Sequence, residues 1–251
     1  MKIAIVTGAS SGMGREAVRQ IAERFPKLSE IWVVARRRER LEELQNESSV
    51  PLRIFPLDLG TEDSVEELAY ALHERNPEVK LLVNAAGYGK IGSVGENSRS
   101  EETGMVRINC EALCAVTHTV LPFLSDNSRI IQFASSAAFL PQPDFAVYAA
   151  SKAFVLSYSR ALHAELRKRR IAVTAVCPGP VNTEFFDVAQ TTANVPFYKK
   201  LLMADAEKVV QKALRDSMMG KTISVYGISM QMFSVLCKLL PHDLILRIYR
   251  P

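Results

Sequence analysis

Tyr148 and Lys152, in the stretch Ala146-Val-Tyr-Ala-Ala-Ser-Lys-Ala153, stand four residues apart. That spacing puts two side chains on one face of a helix. A free phenol gives up its proton only near pH 10, and a neighbouring ammonium stabilises its anion, so the pair suits moving one proton to or from a bound oxygen. The compact lysine head carries several donors and can also orient a ribose by hydrogen bonding. Tyr-x-x-x-Lys is a common string, and its meaning depends on what accompanies it.

It is accompanied by a glycine-rich turn near the start of the chain, Thr7-Gly-Ala-Ser-Ser-Gly-Met-Gly14. Glycines at 8, 12 and 14 permit a tight turn and a close backbone approach to a pyrophosphate. The anion then faces the amides of Ser10, Ser11, Gly12, Met13 and Gly14 and the dipole of the helix that follows. The spacing is Gly-x-x-x-Gly-x-Gly rather than the commoner GxGxxG, but Ile3-Ala-Ile-Val6 before it and a helical pattern after it supply the right context. The second apolar run ends Val33-Val34-Ala35-Arg36-Arg37. An acidic residue there would bind ribose hydroxyls. Ala35 takes its place, and the guanidinium groups of Arg36 and Arg37 suit a 2′-phosphate, so NADP(H) is the expected cofactor and NAD(H) the alternative. The competing reading is that the arginines only solvate a helix start.

These residues must be held by seven strand-like runs: Lys2–Thr7, Ile31–Ala35, Leu52–Leu57, Lys80–Asn84, Arg129–Ala134, Ala172–Cys177 and Thr222–Tyr226. Several are continuously apolar, as parallel strands covered on both faces require. Helical patterns alternate with them at Arg15–Arg24, Ser64–Arg75, about Glu101 to Leu124, Phe145–Lys168 and Asp205–Ser217. The expected fold class is α/β, a Rossmann-type doubly wound parallel seven-stranded sheet with helices on both faces, in a single domain over 1–251. Residues 183–203, rich in apolar and aromatic side chains (Phe185, Phe186, Val195, Phe197 and Tyr198), are expected to form a lid over the carboxyl edge of the sheet. The apolar tail 228–251 could pack on its own domain, join a subunit interface or touch a membrane surface, and the sequence does not choose among these.

Composition narrows the function. The chain of 251 residues is 48% hydrophobic and 23% charged with a net charge of +4, enough apolar content for a full core. Two basic runs, Arg36-Arg-Arg-Glu-Arg40 and Arg167-Lys-Arg-Arg170, come with no recognition motif, so no nucleic-acid partner is expected. The four cysteines form no CxxC pair and the four histidines show no metal-ligand spacing, so free buried thiols and no metal site are expected. The apolar start is too short for the core of a signal peptide and reads as a first strand. The stretch Thr222–Cys237 falls short of the roughly 20 residues that span a bilayer. A cytoplasmic protein without an integral membrane segment is expected.

Taken jointly, these motifs resemble the short-chain dehydrogenase/reductase family in its shorter branch, over residues 1 to about 226. Thr7 to Gly14 match its TGxxxGxG turn, and Asn84, Ala85, Ala86 and Gly87 match its NAG element. Asp58, with Leu59 after it, matches the acidic position that contacts adenine. Pro178, Gly179, Val181 and Thr183 match the PGxVxT loop at the nicotinamide. Asn109, Ser135, Tyr148 and Lys152 match the family's catalytic tetrad in order. The resemblance implies hydride transfer between a nicotinamide and a small carbonyl or alcohol substrate. Tyr148 would be the general acid/base, Ser135 would hydrogen-bond the reacting oxygen, Lys152 would lower the tyrosine pKa, and Asn109 would hold a water that links the lysine to solvent. Ser136 competes with Ser135, which the family's usual interval to the tyrosine favours. The family also implies a homodimer or homotetramer. An acyl-carrier thioester reductase, an isomerase or epimerase of the same family, and a non-catalytic dinucleotide sensor are the alternatives.

Overall fold

Runs such as Ile3-Ala-Ile-Val6, apolar at successive positions, are buried only if both faces of their sheet are covered. In the structure, a computed structural model that describes residues 1–185, 189 and 203–249, all four of these side chains are fully buried. They belong to β1 (Lys2–Thr7), followed by β2 (Glu30–Val34), β3 (Leu52–Phe55), β4 (Glu78–Asn84), β5 (Leu124–Phe133), β6 (Ala172–Val176) and β7 (Ile223–Ser224). The strands pair in parallel in the order β3-β2-β1-β4-β5-β6-β7, which is the expected seven-stranded, doubly wound Rossmann-type sheet. The helices are α1 (Gly12–Arg24), α2 (Arg38–Glu47), α3 (Glu62–Arg75), α4 (Arg99–Val106), α5 (Leu113–Val120), α6 (Ala146–Glu165), α7 (Ala206–Met218), α8 (Ile228–Leu239) and α9 (His242–Tyr249).

Successive residues of each strand feed two cores. On one face Ala4, Val6, Val33 and Val83 pack with Val18 and Ile21 of α1, Leu41 of α2, and Val210 and Leu214 of α7. On the other, Ile3, Ile5, Trp32 and Leu82 pack with Leu68 and Leu72 of α3, Val116 of α5 and Leu162 of α6. Alternation of side chains along a strand assigns each residue to one layer or the other.

Several elements differ from the sequence expectation, among them α2, which was not expected, and β7, which is only Ile223–Ser224. β3 stops at Phe55, because Pro56 has no N–H to continue a ladder. β5 begins at Leu124 rather than Arg129, pairing with Val79 ahead of a register irregularity. The single helix expected from Glu101 to Leu124 is two, α4 and α5, joined by a π-helical turn over Arg107–Ala112 that contains Asn109. The tail, whose placement the sequence left open, lays Phe233 and Cys237 of α8 against the core beside Phe139. Most of the 183–203 segment lies outside the described residues, including Phe186, Val195, Phe197 and Tyr198 of the expected lid. Among the described residues no helix is long and apolar enough to cross a membrane.

The register places Val34, Thr7, Asn84 and Gln132 in one row across the four central strands. Strand order reverses between β1 and β4, so their connections leave in opposite directions and open a crevice at the carboxyl edge. Thr7 closes the base of that crevice, its Oγ1 accepting from the backbone N–H groups of Ala85 and Ala86, both at 3.2 Å. Thr7→Val would leave two amides without this acceptor. A loss of about 2 kcal/mol in unfolding free energy is expected by urea denaturation, and an unchanged midpoint would show that the Thr7 bridge does not hold the two strand ends together.

Candidate active site

The glycine turn begins with Gly8, whose φ of +68° favours glycine and whose N–H donates to Val34 O at 2.8 Å. A Cβ at Gly8 would come within 2.6 Å of Ala86 N, and one at Gly14 within 2.2 Å of Gly8 O, so neither position accepts a larger residue without rearrangement. Gly12, at φ +52°, sits beside Thr183. Ser11 opens α1 without a side-chain cap, and no acid stands in the first turn. The first amides of α1 therefore keep their donors and their positive end of the helix dipole for an anion. A dinucleotide fits this cradle, and Ser10 to Gly14 would hold its pyrophosphate.

Around the cradle the other expected cofactor residues line up along the same edge. Ser10 Oγ accepts from Arg37 Nε at 3.3 Å and Nη2 at 3.2 Å. Arg37 Nη1 also meets Glu184 at 3.0 Å, and Arg40 pairs with the same carboxylate. These two guanidinium groups hold the Glu184 carboxyl below its usual range. Arg36 is exposed. Asp58 is exposed and turns one oxygen to the N–H of Gly60 at 3.0 Å, while Leu59 is buried. Asn84 is buried and donates to Thr117 Oγ1 and Gln132 Oε1, at 3.0 and 3.1 Å, so its side chain braces the sheet. Pro178 O accepts from Ser136 N at 2.8 Å. Gly179 lies under Met230, where a Cβ would approach Sδ to 2.7 Å, and Val181 is bridged to Ala204.

The four tetrad candidates meet at the mouth of this crevice. Tyr148 is 7% exposed, Lys152 6% and Asn109 not at all. Burial pushes the Tyr148 phenol up to about 12, opposed by a hydrogen bond with Ser135. Ser135 Oγ also accepts from Ala137 N at 3.2 Å, which leaves its own proton free to donate. Burial also brings the Lys152 ammonium down to about 8. Its Nζ donates to Phe133 O at 2.9 Å and lies 5.7 Å from the centre of the Tyr148 ring. Desolvation, not the neighbouring ammonium, governs the phenol.

Asn109 reaches from the π-helical turn to the loop after β4. Its Oδ1 accepts from Tyr88 N at 3.0 Å, and its Nδ2 donates to Tyr88 O and Ser151 Oγ, both at 2.9 Å. Ser151 in turn donates to Tyr148 O at 2.7 Å. The side chain is thus bonded to Tyr88 and, through Ser151, linked to the Tyr148 carbonyl. Gly87 completes the floor, since a Cβ there would lie 2.8 Å from Asn109 Oδ1 and 3.2 Å from Lys152 Nζ.

Several residues of the site were not singled out by sequence reasoning. Phe145 stacks on Tyr148 with ring centres 4.3 Å apart, and Phe185, named only as part of the lid, tilts against it at 5.4 Å. Gly89 makes room for all three rings, as a Cβ would come within 2.9 Å of each. Tyr88 directly follows the matched Gly87 and Ser151 directly precedes the matched Lys152, which was the available signal. Glu184 follows Thr183 but carries no local sign of its pairing with arginines 144 and 147 residues away. The cysteines are free, with Cys110, Cys177 and Cys237 buried, and no metal-holding cluster occurs among the described residues.

The folded value of Lys152 lies below its free value of 10.5, so its contribution to stability is complete above 10.5 and is lost as pH falls through about 8. In the cofactor-free protein carrying ¹³C-labelled lysine, one resonance is expected to titrate near pH 8, well below the others, and to vanish in Lys152→Met. Titration of every lysine near 10 would contradict the buried ammonium.

Comparison with known proteins supports the same reading of the fold. The family model for short chain dehydrogenases matches residues 2–194. The chain is 34% identical over 218 residues to sulfoacetaldehyde reductase 2 of Chromohalobacter salexigens, covering 83% of this chain and 85% of that one. It is 29% identical over 203 residues to the very-long-chain 3-oxoacyl-CoA reductase of Anas platyrhynchos, covering 77% of this chain and 64% of that one. A solved short-chain dehydrogenase from Sphingobium yanoikuyae, in complex with NADPH, superposes with a TM-score of 0.80 at 23% identity, covering 96% of this chain and 97% of that one. On these matches the chain belongs to the short-chain dehydrogenase family of oxidoreductases.

Proposed function

We propose that this chain, acting as a single domain, is an NADP(H)-dependent oxidoreductase that interconverts a carbonyl and an alcohol, with Tyr148 as the proton-transferring group. The observation that carries the reading is the burial of Tyr148 beside Lys152, whose Nζ lies 5.7 Å from the centre of the phenol ring and 3.2 Å from where a Cβ at Gly87 would stand. Relatives named as aldehyde and 3-oxoacyl-CoA reductases support carbonyl chemistry.

When bound, the nicotinamide would supply or accept the hydride at the reacting carbon. The remaining work falls to the protein. A phenol held near 12 is protonated at neutral pH, so Tyr148 is set to give its proton to the carbonyl oxygen in the reducing direction. Ser135, whose Oγ–H is free, donates to that oxygen as charge develops on it. Lys152, fixed by Phe133 O, offers its remaining donors to the ribose and favours the phenolate once the proton has left. Asn109 is a positioning residue that acts through Tyr88 and Ser151. Phe145 and Phe185 exclude water from the phenol.

The preference for NADP(H) rests on Arg37, Arg40 and Ser10, with Arg36 alongside. A 2′-phosphate would replace Glu184 as the partner of two guanidinium groups and gain charge-assisted hydrogen bonds. Exposed Val106 and Phe154, at α4 and on α6, support burial of these helices against a second copy in a homodimer or homotetramer.

NADPH oxidation followed at 340 nm over a panel of ketones, aldehydes and quinones tests the assignment. Tyr148→Phe is expected to lower turnover on the best substrate by about a thousandfold, roughly 4 kcal/mol of transition-state stabilisation, with NADPH binding kept. Near wild-type turnover would remove Tyr148 from the chemistry. Arg37→Ala should raise the KM for NADPH about tenfold and leave that for NADH unchanged. An enzyme whose kcat/KM with NADH equals or exceeds that with NADPH would overturn the cofactor assignment.

A further inference from the structure

The opposite edge of the sheet holds a second recess. The amino ends of β1 and β4, the middle of β5, the loop after α1 and the end of α7 enclose a cavity of about 410 Å³. This is within the range of small-molecule sites. It lies a strand's length from Gly8 and Asn84, roughly 15–20 Å at 3.3 Å per residue. Its floor is apolar, built from Phe25, Leu28, Leu81, Ile131, Leu214 and Met218. Lys2, Arg24, Lys27, Lys80 and Arg129 rim it, and among the described residues no acidic one lines it.

The cations are not equally engaged. Lys80 is paired with Glu78 and also donates to Ser125 Oγ at 2.9 Å. Arg129 donates from Nη1 to Asn127 O at 2.8 Å and from Nη2 to Met218 O at 3.5 Å, while its Nε is buried without a partner. Ser217 lines the same cavity, is 1% exposed, and its hydroxyl likewise has no partner. Lys2, Arg24 and Lys27 make no side-chain hydrogen bond or ion pair among the described residues.

Unpaired cations above an apolar hollow repel one another and attract an anion, and the field is strengthened by the low-dielectric walls. The aliphatic floor favours an alkyl body, at about 25 cal/mol for each Å² withdrawn from water. A nucleotide suits the recess poorly, because the described lining has no carboxylate, and only Asn127 and Ser217 are neutral polar side chains that could receive its sugar and base donors. We propose that this cavity binds an amphipathic anion, an aliphatic chain ending in one carboxylate, with the chain on Leu28, Leu81 and Leu214 and the head among Arg24, Lys27 and Arg129. The site is separate from the dinucleotide crevice and is filled independently of it.

Isothermal titration of the full chain with dodecanoate, below its micelle concentration and with NADPH saturating or absent, tests this. One dodecanoate per chain is expected, with the same affinity in both conditions, and at least tenfold weaker binding of dodecanol and of butanoate. The exposed double change Arg24→Gln with Lys27→Gln should weaken dodecanoate about tenfold without changing Tm or NADPH-linked turnover. Leu28→Trp, which fills the recess from a half-buried loop position, should abolish binding. Dodecanol binding as tightly as dodecanoate, wild-type affinity in the charge-reduced protein, several dodecanoates per chain, displacement by NADPH, or no binding at all would each overturn the proposal.

Discussion

Parallel pairing of β1 with β4 is the interaction on which the remaining geometry depends. Thr7 aligns with Asn84 across that pair, and Thr7 Oγ1 then takes the next two amides of the β4 side. With β2 and β3 on one flank and β5 to β7 on the other, each strand delivers its carboxyl end to the same row. Gly8, Gly87 and Ser135 are the residues that immediately follow these ends or lie within three positions of them. A one-residue slip in this register would turn the two core layers inside out and separate the turn from the floor of the site.

On this frame the site is built from closeness and from lost solvent. Gly8, Gly14, Gly87 and Gly89 stand where any side chain would strike backbone, a buried polar group or an aromatic ring. The space they leave lets Tyr148 and Lys152 sink out of water, and desolvation moves both groups toward neutrality, the phenol up and the ammonium down. A buried polar cluster of this kind is tolerable only when its members are partnered. The chain from Tyr88 through Asn109 and Ser151 to the Tyr148 carbonyl meets that requirement. The π-helical turn belongs to the same arrangement, since it carries Asn109, the residue that reaches across to the β4 loop.

Charge is divided between the two edges of the sheet. At the carboxyl edge Arg37 and Arg40 share the single carboxylate of Glu184, which leaves one positive charge uncompensated. At the amino edge the cations gather around an apolar hollow with no acid in its described lining. A net charge of +4 says nothing of this division.

Features contained within a few consecutive residues were legible in the sequence: the glycine turn, the Tyr-x-x-x-Lys face, and the continuous apolar runs that require a sheet covered on both sides. Backbone preference and side-chain periodicity act locally and leave their mark in residue order. The shortened β3 was legible in principle too, because Pro56 lacks a donor wherever it stands. Contacts made by distant residues were decided only by the tertiary structure. The pairing of Glu184 with Arg37 and Arg40, the hold of Asn109 on Tyr88, and the convergence of Lys2, Lys80 and Arg129 from three strands all arise when the sheet closes. So do the displaced titrations of Tyr148 and Lys152, because a pKa responds to the water removed around a group, and only the packed fold removes it.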